Sequence, residues 1–156
     1  MEFLAFRIGR EEYGINLLAV QEIRSFESPV RIAGSSKDVL GVINLRGQIV
    51  PIIDMRIRFG NSCPDYNDFT IVVIVSIHGK VVGLVVDAVS DVVQVGEGAM
   101  RPPPLFDAGA CTGMIMSIAA LESRMIILLD AAKLVPMVDP GDLSDRIPQE
   151  ELVSLA

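Results

Sequence analysis

Gly41-Val42-Ile43-Asn44-Leu45-Arg46-Gly47-Gln48-Ile49-Val50-Pro51-Ile52-Ile53-Asp54 reads as two β-rich runs folded about Arg46-Gly47. Strands are predicted over residues 39–45 and 48–54, and glycine supplies the positive φ that a tight hairpin turn needs. The same grammar recurs downstream. Residues 69–77 and 81–88 flank His78-Gly79-Lys80, and residues 114–121 and 125–129 flank Glu122-Ser123-Arg124. In the run 70–77 both alternating sets are largely apolar, which predicts a strand covered on both faces.

Upstream, residues 3–9 read as a strand, Arg10-Glu11-Glu12 as a turn and residues 13–15 as the strand resumed. Asn16 suits the N-cap of one helical turn over residues 17–19. Residues 20–24 return to strand, and Pro29, Gly34 and Ser35-Ser36 mark a loop. A polar loop is expected over residues 60–67 and another strand over 90–95. Residues 96–112, with Pro102-Pro103-Pro104, form an irregular surface excursion. Asp130 caps a short helix over residues 131–135, which Pro136 ends.

The chain contains itself twice. Gly14-Ile15 falls on Gly83-Leu84, and at the same offset Val20-Gln21-Glu22-Ile23 falls on Val89-Ser90-Asp91-Val92. Gly41-Val42-Ile43 resembles Gly113-Met114-Ile115, and Ile52-Ile53-Asp54-Met55 resembles Leu128-Leu129-Asp130-Ala131. A unit of about 70 residues is marginal alone. Two small pseudo-symmetric β-barrels of about five strands on a shared core are therefore expected, in an all-β fold with a short C-terminal helix.

Composition narrows the function. Of 156 residues 51% are hydrophobic and 21% charged, which excludes disorder for most of the chain. The net charge of -7, without a Lys/Arg cluster, argues against nucleic acid and anionic lipid as partners. Cys63 and Cys111 are far apart and in no Cys-x-x-Cys arrangement, which points to free thiols in a reducing compartment, with a structural disulfide as the lesser alternative. The N-terminus has no apolar signal region, and no apolar run is long enough to span a bilayer. A cytoplasmic protein is expected.

The parts of an enzyme are not assembled. His78, the one histidine, falls in a predicted turn beside Gly79 and reads as solvated. Cys63, His78 and Cys111 are too dispersed for zinc. Glu11 and Glu12 read as solvated turn acids, and Asp87 and Asp91 as acids at strand ends. Gly96-Glu97-Gly98 lacks the rest of a phosphate loop. No catalysis, cofactor or metal is expected. What remains is surface. Alternation puts Val20, Glu22 and Arg24 on one strand face, Gln21 and Ile23 on the other. That mixture suits an interface, where charges frame apolar anchors, and equally a strand at a barrel rim. Arg46 at its turn is either solvated or an interface hot spot.

Val20-Gln21-Glu22-Ile23-Arg24, residues 41–47 and 49–54, and residues 82–92 together resemble the CheW family of bacterial chemotaxis coupling proteins. Tyr66-Asn67-Asp68, Met100-Arg101-Pro102-Pro103 and Arg124-Met125-Ile126-Ile127-Leu128 fit the same pattern. The resemblance covers roughly residues 3 to 136. It implies two five-stranded SH3-like barrels in a domain over residues 1–138, with lobes of roughly 15–85 and the remainder. It also implies a non-enzymatic adaptor between the tips of methyl-accepting chemoreceptors and the regulatory domain of the histidine kinase CheA, in membrane-associated arrays where other CheW-like proteins form rings. By resemblance Val20, Glu22, Gly83 and Val92 belong to the receptor-binding surface. Arg46 couples receptor and kinase contacts, supported by Asn44, Leu45 and Gly47. The chain departs from the family in having no glycine around Ile118-Ala119, and its acidic tail, residues 139–156, matches no motif. A chain opening on Met1, without room for a second domain, is expected to be a stand-alone adaptor. The alternative function is a small-molecule-binding β-barrel with an inter-lobe pocket, or an enzyme using Cys63.

Overall fold

The computed structural model describes residues 1–34, 36–60, 64–102 and 113–134. Cys63, Cys111, much of the 96–112 excursion and the tail 139–156 lie outside them. No helix among the described residues is long and apolar enough to cross a membrane. Eleven strands are described: β1 Glu2–Ile8, β2 Glu11–Asn16, β3 Val20–Ser25, β4 Val39–Leu45, β5 Gln48–Asp54, β6 Ile71–Ile77, β7 Lys80–Val86, β8 Ala88–Gln94, β9 Met100–Arg101, β10 Ile115–Leu121 and β11 Arg124–Leu129. Helices α1 (Met55–Arg58) and α2 (Ala131–Leu134) are one turn each. Asp54 and Asp130 cap them, each accepting a hydrogen bond from the backbone N–H two residues on. Asn16 caps its single turn in the same way through Leu18 N–H.

Two sheets result, ordered β8-β1-β2-β11-β10-β9 and β3-β6-β7-β5-β4. Apart from the two-residue β9, they are the same sheet twice. Hairpin β1–β2 corresponds to β6–β7, β11 beside β2 to β5 beside β7 (both parallel), and β8 beside β1 to β3 beside β6. The predicted repeat is present down to register: Gly14 faces Leu128 where Gly83 faces Ile52. Each glycine lets a neighbouring aliphatic lie across the sheet, since a Cβ at Gly14 would stand 2.9 Å from Leu128 Cδ2 and one at Gly83 2.6 Å from Ile52 Cδ1.

The repeats are interleaved. The first repeat gives β1–β2 to one lobe and β3 to β5 to the other; the second gives β6–β7 to one and β8 to β11 to the other. Neither repeat builds a lobe alone. The shared core follows: Leu4, Phe6 and Tyr13 pack in one buried cluster with Val42, Val73 and Leu84. Smaller clusters fill each lobe, around Ile52 and Val85 in one and around Phe3 and Leu128 in the other.

Three details differ from the sequence reading. The first turn is Gly9-Arg10, so Glu11 and Glu12 begin β2 rather than forming a turn. Asp91 sits inside β8, not at a strand end. The last hairpin forms without its family glycine: Ala119 is fully buried and pairs in register with Ile126, the irregularity falling between Ile115 and Ser117.

Candidate functional site

β3 and β8 are edge strands that correspond in the repeat, and both show the same surface. On β3 Glu22 is followed by exposed Ile23, on β8 Asp91 by exposed Val92; the two apolar side chains are 45% and 47% exposed. An apolar residue beside an acid on a free edge protects that edge while offering an anchor. Val20 and Glu22 are half-buried on the other β3 face, as alternation predicted.

Each acid meets an arginine of a hairpin in its own lobe. Glu22 receives Arg46 through both guanidinium nitrogens, at 3.2 and 3.4 Å. This pair joins β3, at one end of its sheet order, to the β4–β5 turn at the other. Arg24 lies 3.8 Å from Glu22 and 3.7 Å from Glu27, adding charge to the same patch. Arg46 stands at φ 51 and Gly47 at φ 87. Both central residues of the turn have positive φ, the type I′ pattern, in which a long side chain at the first position is strained. Asn44 Oδ1 accepts from Gly47 N–H at 2.7 Å and braces the turn. Leu45 is buried in the lobe core, so it anchors the hairpin rather than touching a partner.

Gly83 is not part of this surface. It is enclosed by Ile52, Val72 and Ile74, and its contribution is the room it leaves them. The four receptor candidates therefore divide: Val20, Glu22 and Val92 are on accessible strands and Gly83 is in the core.

The second ion cluster was missed in the sequence. Arg124 donates to both carboxylate oxygens of Glu12, at 3.0 and 2.6 Å, and to both of Asp91, at 3.0 and 2.9 Å. These hydrogen bonds hold Glu12 and Asp91 below the usual carboxylate range, against the small cost of burial, and raise the pKa of Arg124. Glu12 is thus a paired side chain, not a solvated turn acid. The signal was available: setting Ile52-Ile53-Asp54 on Leu128-Leu129-Asp130 puts Arg46 on Glu122, two residues from Arg124.

A network built on buried Asp54 lies at the end of β5 and reaches the other lobe through Arg56 and Asp87. Asp54 is fully buried and receives Arg56 Nε and Nη2, both at 3.1 Å, and the Tyr66 hydroxyl. Burial and the Asp54 carboxylate push the Tyr66 pKa up to about 12. Burial works against the charge of Arg56, but Asp54 and Asp87 outweigh it and raise its pKa. The inter-lobe junction at Ile8, Gly9, Tyr13, Arg56 and Phe59 has a cavity of about 150 Å³. That is below the few hundred Å³ of ordinary ligand pockets, so the small-molecule alternative finds no support there. A larger open hollow of about 690 Å³, walled in part by Phe26, Leu40 and Tyr66, belongs to one lobe. No group of three or more His, Cys, Asp or Glu able to hold a metal occurs among the described residues.

Two exchanged SH3-like lobes, with paired charges and apolar anchors on their free edges, make a scaffold that presents surfaces to other proteins. Residues 2–139 match the CheW-like domain, and the chain belongs to that family of chemotaxis adaptors. It is 45% identical over 134 residues to the chemotaxis protein CheW of Klebsiella aerogenes, covering 86% of this chain and 81% of the relative. It is 31% identical over 132 residues to CheW of Bacillus subtilis, covering 83% of each. The crystal structure of the scaffolding protein CheW from Thermoanaerobacter tengcongensis superposes with a TM-score of 0.75 at 32% identity, covering 83% of this chain and 88% of that one.

Proposed function

We propose that this adaptor couples the cytoplasmic tips of chemoreceptors to the regulatory domain of the histidine kinase CheA, without catalysis of its own. A helical receptor tip lays its apolar face against β3 and β8, where Ile23 and Val92 supply anchors and Glu22 and Asp91 the charges. Val20 supports that strand from its half-buried face. Arg46, held between Glu22 and an exposed turn, joins the receptor contact to the kinase contact, with Asn44 and Gly47 fixing the turn and Leu45 anchoring it. Recruitment to membrane-associated arrays, with other CheW-like proteins in the rings, strengthens individually weak contacts through multivalency.

The observation that carries this reading is the Glu22–Arg46 pair. Its arginine side chain is 65% exposed yet held at both nitrogens, on a backbone that favours glycine or asparagine. Arg46→Ala and Glu22→Ala are expected to fold normally, because exposed ion pairs contribute only about 0–1 kcal/mol. In arrays reconstituted from receptor, kinase and adaptor, each is expected to weaken receptor-dependent kinase control about tenfold, the effect of about 1.4 kcal/mol at a hot spot. Normal control by both variants would overturn the surface assignment.

A further inference from the structure

The chain passes between the lobes at two corresponding crossovers, and among the described residues only one is tied by an ion pair. At the β7–β8 crossover Asp87 Oδ1 receives Arg56 Nη1 at 3.1 Å, and Oδ2 accepts from Gly9 N–H at 2.7 Å. Asp87 N–H donates to Arg7 O at 3.0 Å. The same guanidinium donates to Asp65 O at 2.8 Å and binds Asp54 through its other nitrogens. A single arginine, 3% exposed, thus connects the end of β5, the 64–66 segment and the crossover, and through Asp87 reaches the β1–β2 turn of the other lobe.

The other crossover, between β2 and β3, lacks this device. The repeat places Leu18 at the position of Asp87 and Ala132 at that of Arg56. Leu18 is 95% exposed, and neither residue can form an ion pair. The first repeat has Asp-x-Arg at the end of β5 and the second Asp-x-Ala after β11, and both aspartates cap their helices. Capping explains Asp54 and Asp130; it does not explain Arg56, whose head group goes on to the crossover.

We infer that the Arg56–Asp87 ion pair is a strut that fixes the placement of β8 against the β3-to-β7 lobe, making Arg56 and Asp87 positioning residues for partner binding. The consequence for binding rests on the receptor assignment proposed above; the placement itself does not. Ordering two surface strands before a partner arrives removes part of the cost of binding. Loss of the strut leaves every side chain of the β3 and β8 surfaces in place but widens the range of arrangements in which they are presented.

The test uses the full chain, with Cys63 and Cys111 replaced by serine and spin labels at exposed Gln21 on β3 and Gln94 on β8. Asp87→Ala removes both side-chain contacts of the crossover and leaves Asp54, Arg56 and Tyr66 together. The label-to-label distance distribution is expected to broaden about twofold, and affinity for a receptor-tip helical fragment to fall about tenfold. Asp87→Asn keeps an acceptor for Gly9 N–H and loses the charge, so it should broaden the distribution less. It also serves as the test if Asp87→Ala does not fold. An unchanged distribution in a folded variant overturns the strut. A broadened distribution with unchanged fragment affinity supports the strut and overturns the receptor assignment instead.

Discussion

Adding one methyl group at Gly83 tests the packing of the exchanged lobes. Gly83 lies on β7 between β6 and β5, facing Ile74 on one side and Ile52 on the other. An alanine Cβ would stand 2.6 Å from Ile52 Cδ1, 2.9 Å from Val72 Cγ1 and 3.2 Å from Ile74 Cδ1. Carbon atoms in contact prefer about 3.5–4.0 Å, so the methyl is too close on both flanks and moving away from one neighbour meets the other. Ile52 can turn its terminal methyl, but it is 1% exposed and has little space to turn into. Val72 is β-branched, with its χ1 effectively fixed. Overpacking of this kind costs about 1–3 kcal/mol, offset by about 0.4–1 kcal/mol from the less flexible unfolded chain. Gly83→Ala should therefore lose about 1–2 kcal/mol, or about 3–7 °C in Tm.

Gly14→Ala is the internal control. Its nearest neighbours are Leu128 Cδ2 at 2.9 Å and Ile126 Cγ2 at 3.2 Å, a looser site with a flexible leucine end nearest. Its cost should be smaller, about 0–1 kcal/mol. Ile52→Val deletes the closest colliding methyl. Alone it should cost about 0.5–1.5 kcal/mol, but less when added to Gly83→Ala, since the pair is in direct contact. Urea unfolding of the four variants supplies the numbers, and titration with the kinase and receptor fragments supplies the function. Folded Gly83→Ala should bind both within about twofold of the parent chain, because the change is internal. Stability within about 0.5 kcal/mol of the parent, or a greater loss at Gly14, would refute the packing argument.

Arg124→Gln should cost about 1 kcal/mol at neutral pH and less in acid. Glu12 and Asp91 have depressed folded pKa values, so their contribution is full above the ordinary carboxylate pKa and lost as pH falls through the folded values; the variant's acid limb, followed by urea midpoints, should be shallower. Tyr66→Phe leaves a buried carboxylate with one donor fewer and should cost about 1–2 kcal/mol. Tyr66 titrates at about 12, above its ordinary value, so it stabilises fully below the unfolded pKa and progressively less as pH rises through about 12; thermal melts of Tyr66→Phe should lack that alkaline loss. His78, at φ 53 in the β6–β7 turn, and Arg46 both occupy a position suited to asparagine. His78→Asn and Arg46→Asn should each gain about 0.5 kcal/mol in chemical denaturation, but only Arg46→Asn should lose receptor-dependent kinase control.

The hairpins were legible because their turns are written in adjacent residues. Arg46-Gly47 and His78-Gly79 lie between unmistakable β runs, and the structure places the turns there. The two lobes were legible through the offset that sets Gly14 on Gly83. The exchange between them, with lobes of roughly 15–85 and the remainder, came from the family resemblance and not from any local pattern. Which hairpin lies beside which triplet depends on pairings such as Ile126 with Glu12 and Leu4 with Val92, and no local period encodes a partner that distant. Glu12 was misread for that reason: two acids after Gly9-Arg10 look like a turn until Arg124 arrives from the far end of the chain. Gly83 is ambiguous in the opposite sense. A family motif marks a residue without saying whether it meets a partner or makes room for the core. Leu45 shows the same ambiguity beside Arg46, which does reach the surface.

The exchange also bears on how this adaptor can move. Each lobe borrows a hairpin from the other repeat, and separating the lobes would leave both sheets paired but expose the shared core of Leu4, Phe6, Tyr13, Val42, Val73 and Leu84. That amounts to unfolding, and it cannot be a signalling motion in a protein whose total stability is about 5–15 kcal/mol. What remains available is a small rotation of one lobe on the shared core, with the crossovers as pivots. One pivot is fastened through Arg56 and Asp87, and the other is a single helical turn with an exposed leucine. β3 leaves the unfastened pivot directly, and its Glu22 holds the Arg46 turn. Glu22 therefore sits on the strand with the freer attachment, while Asp91 and Val92 sit on the strand that is held.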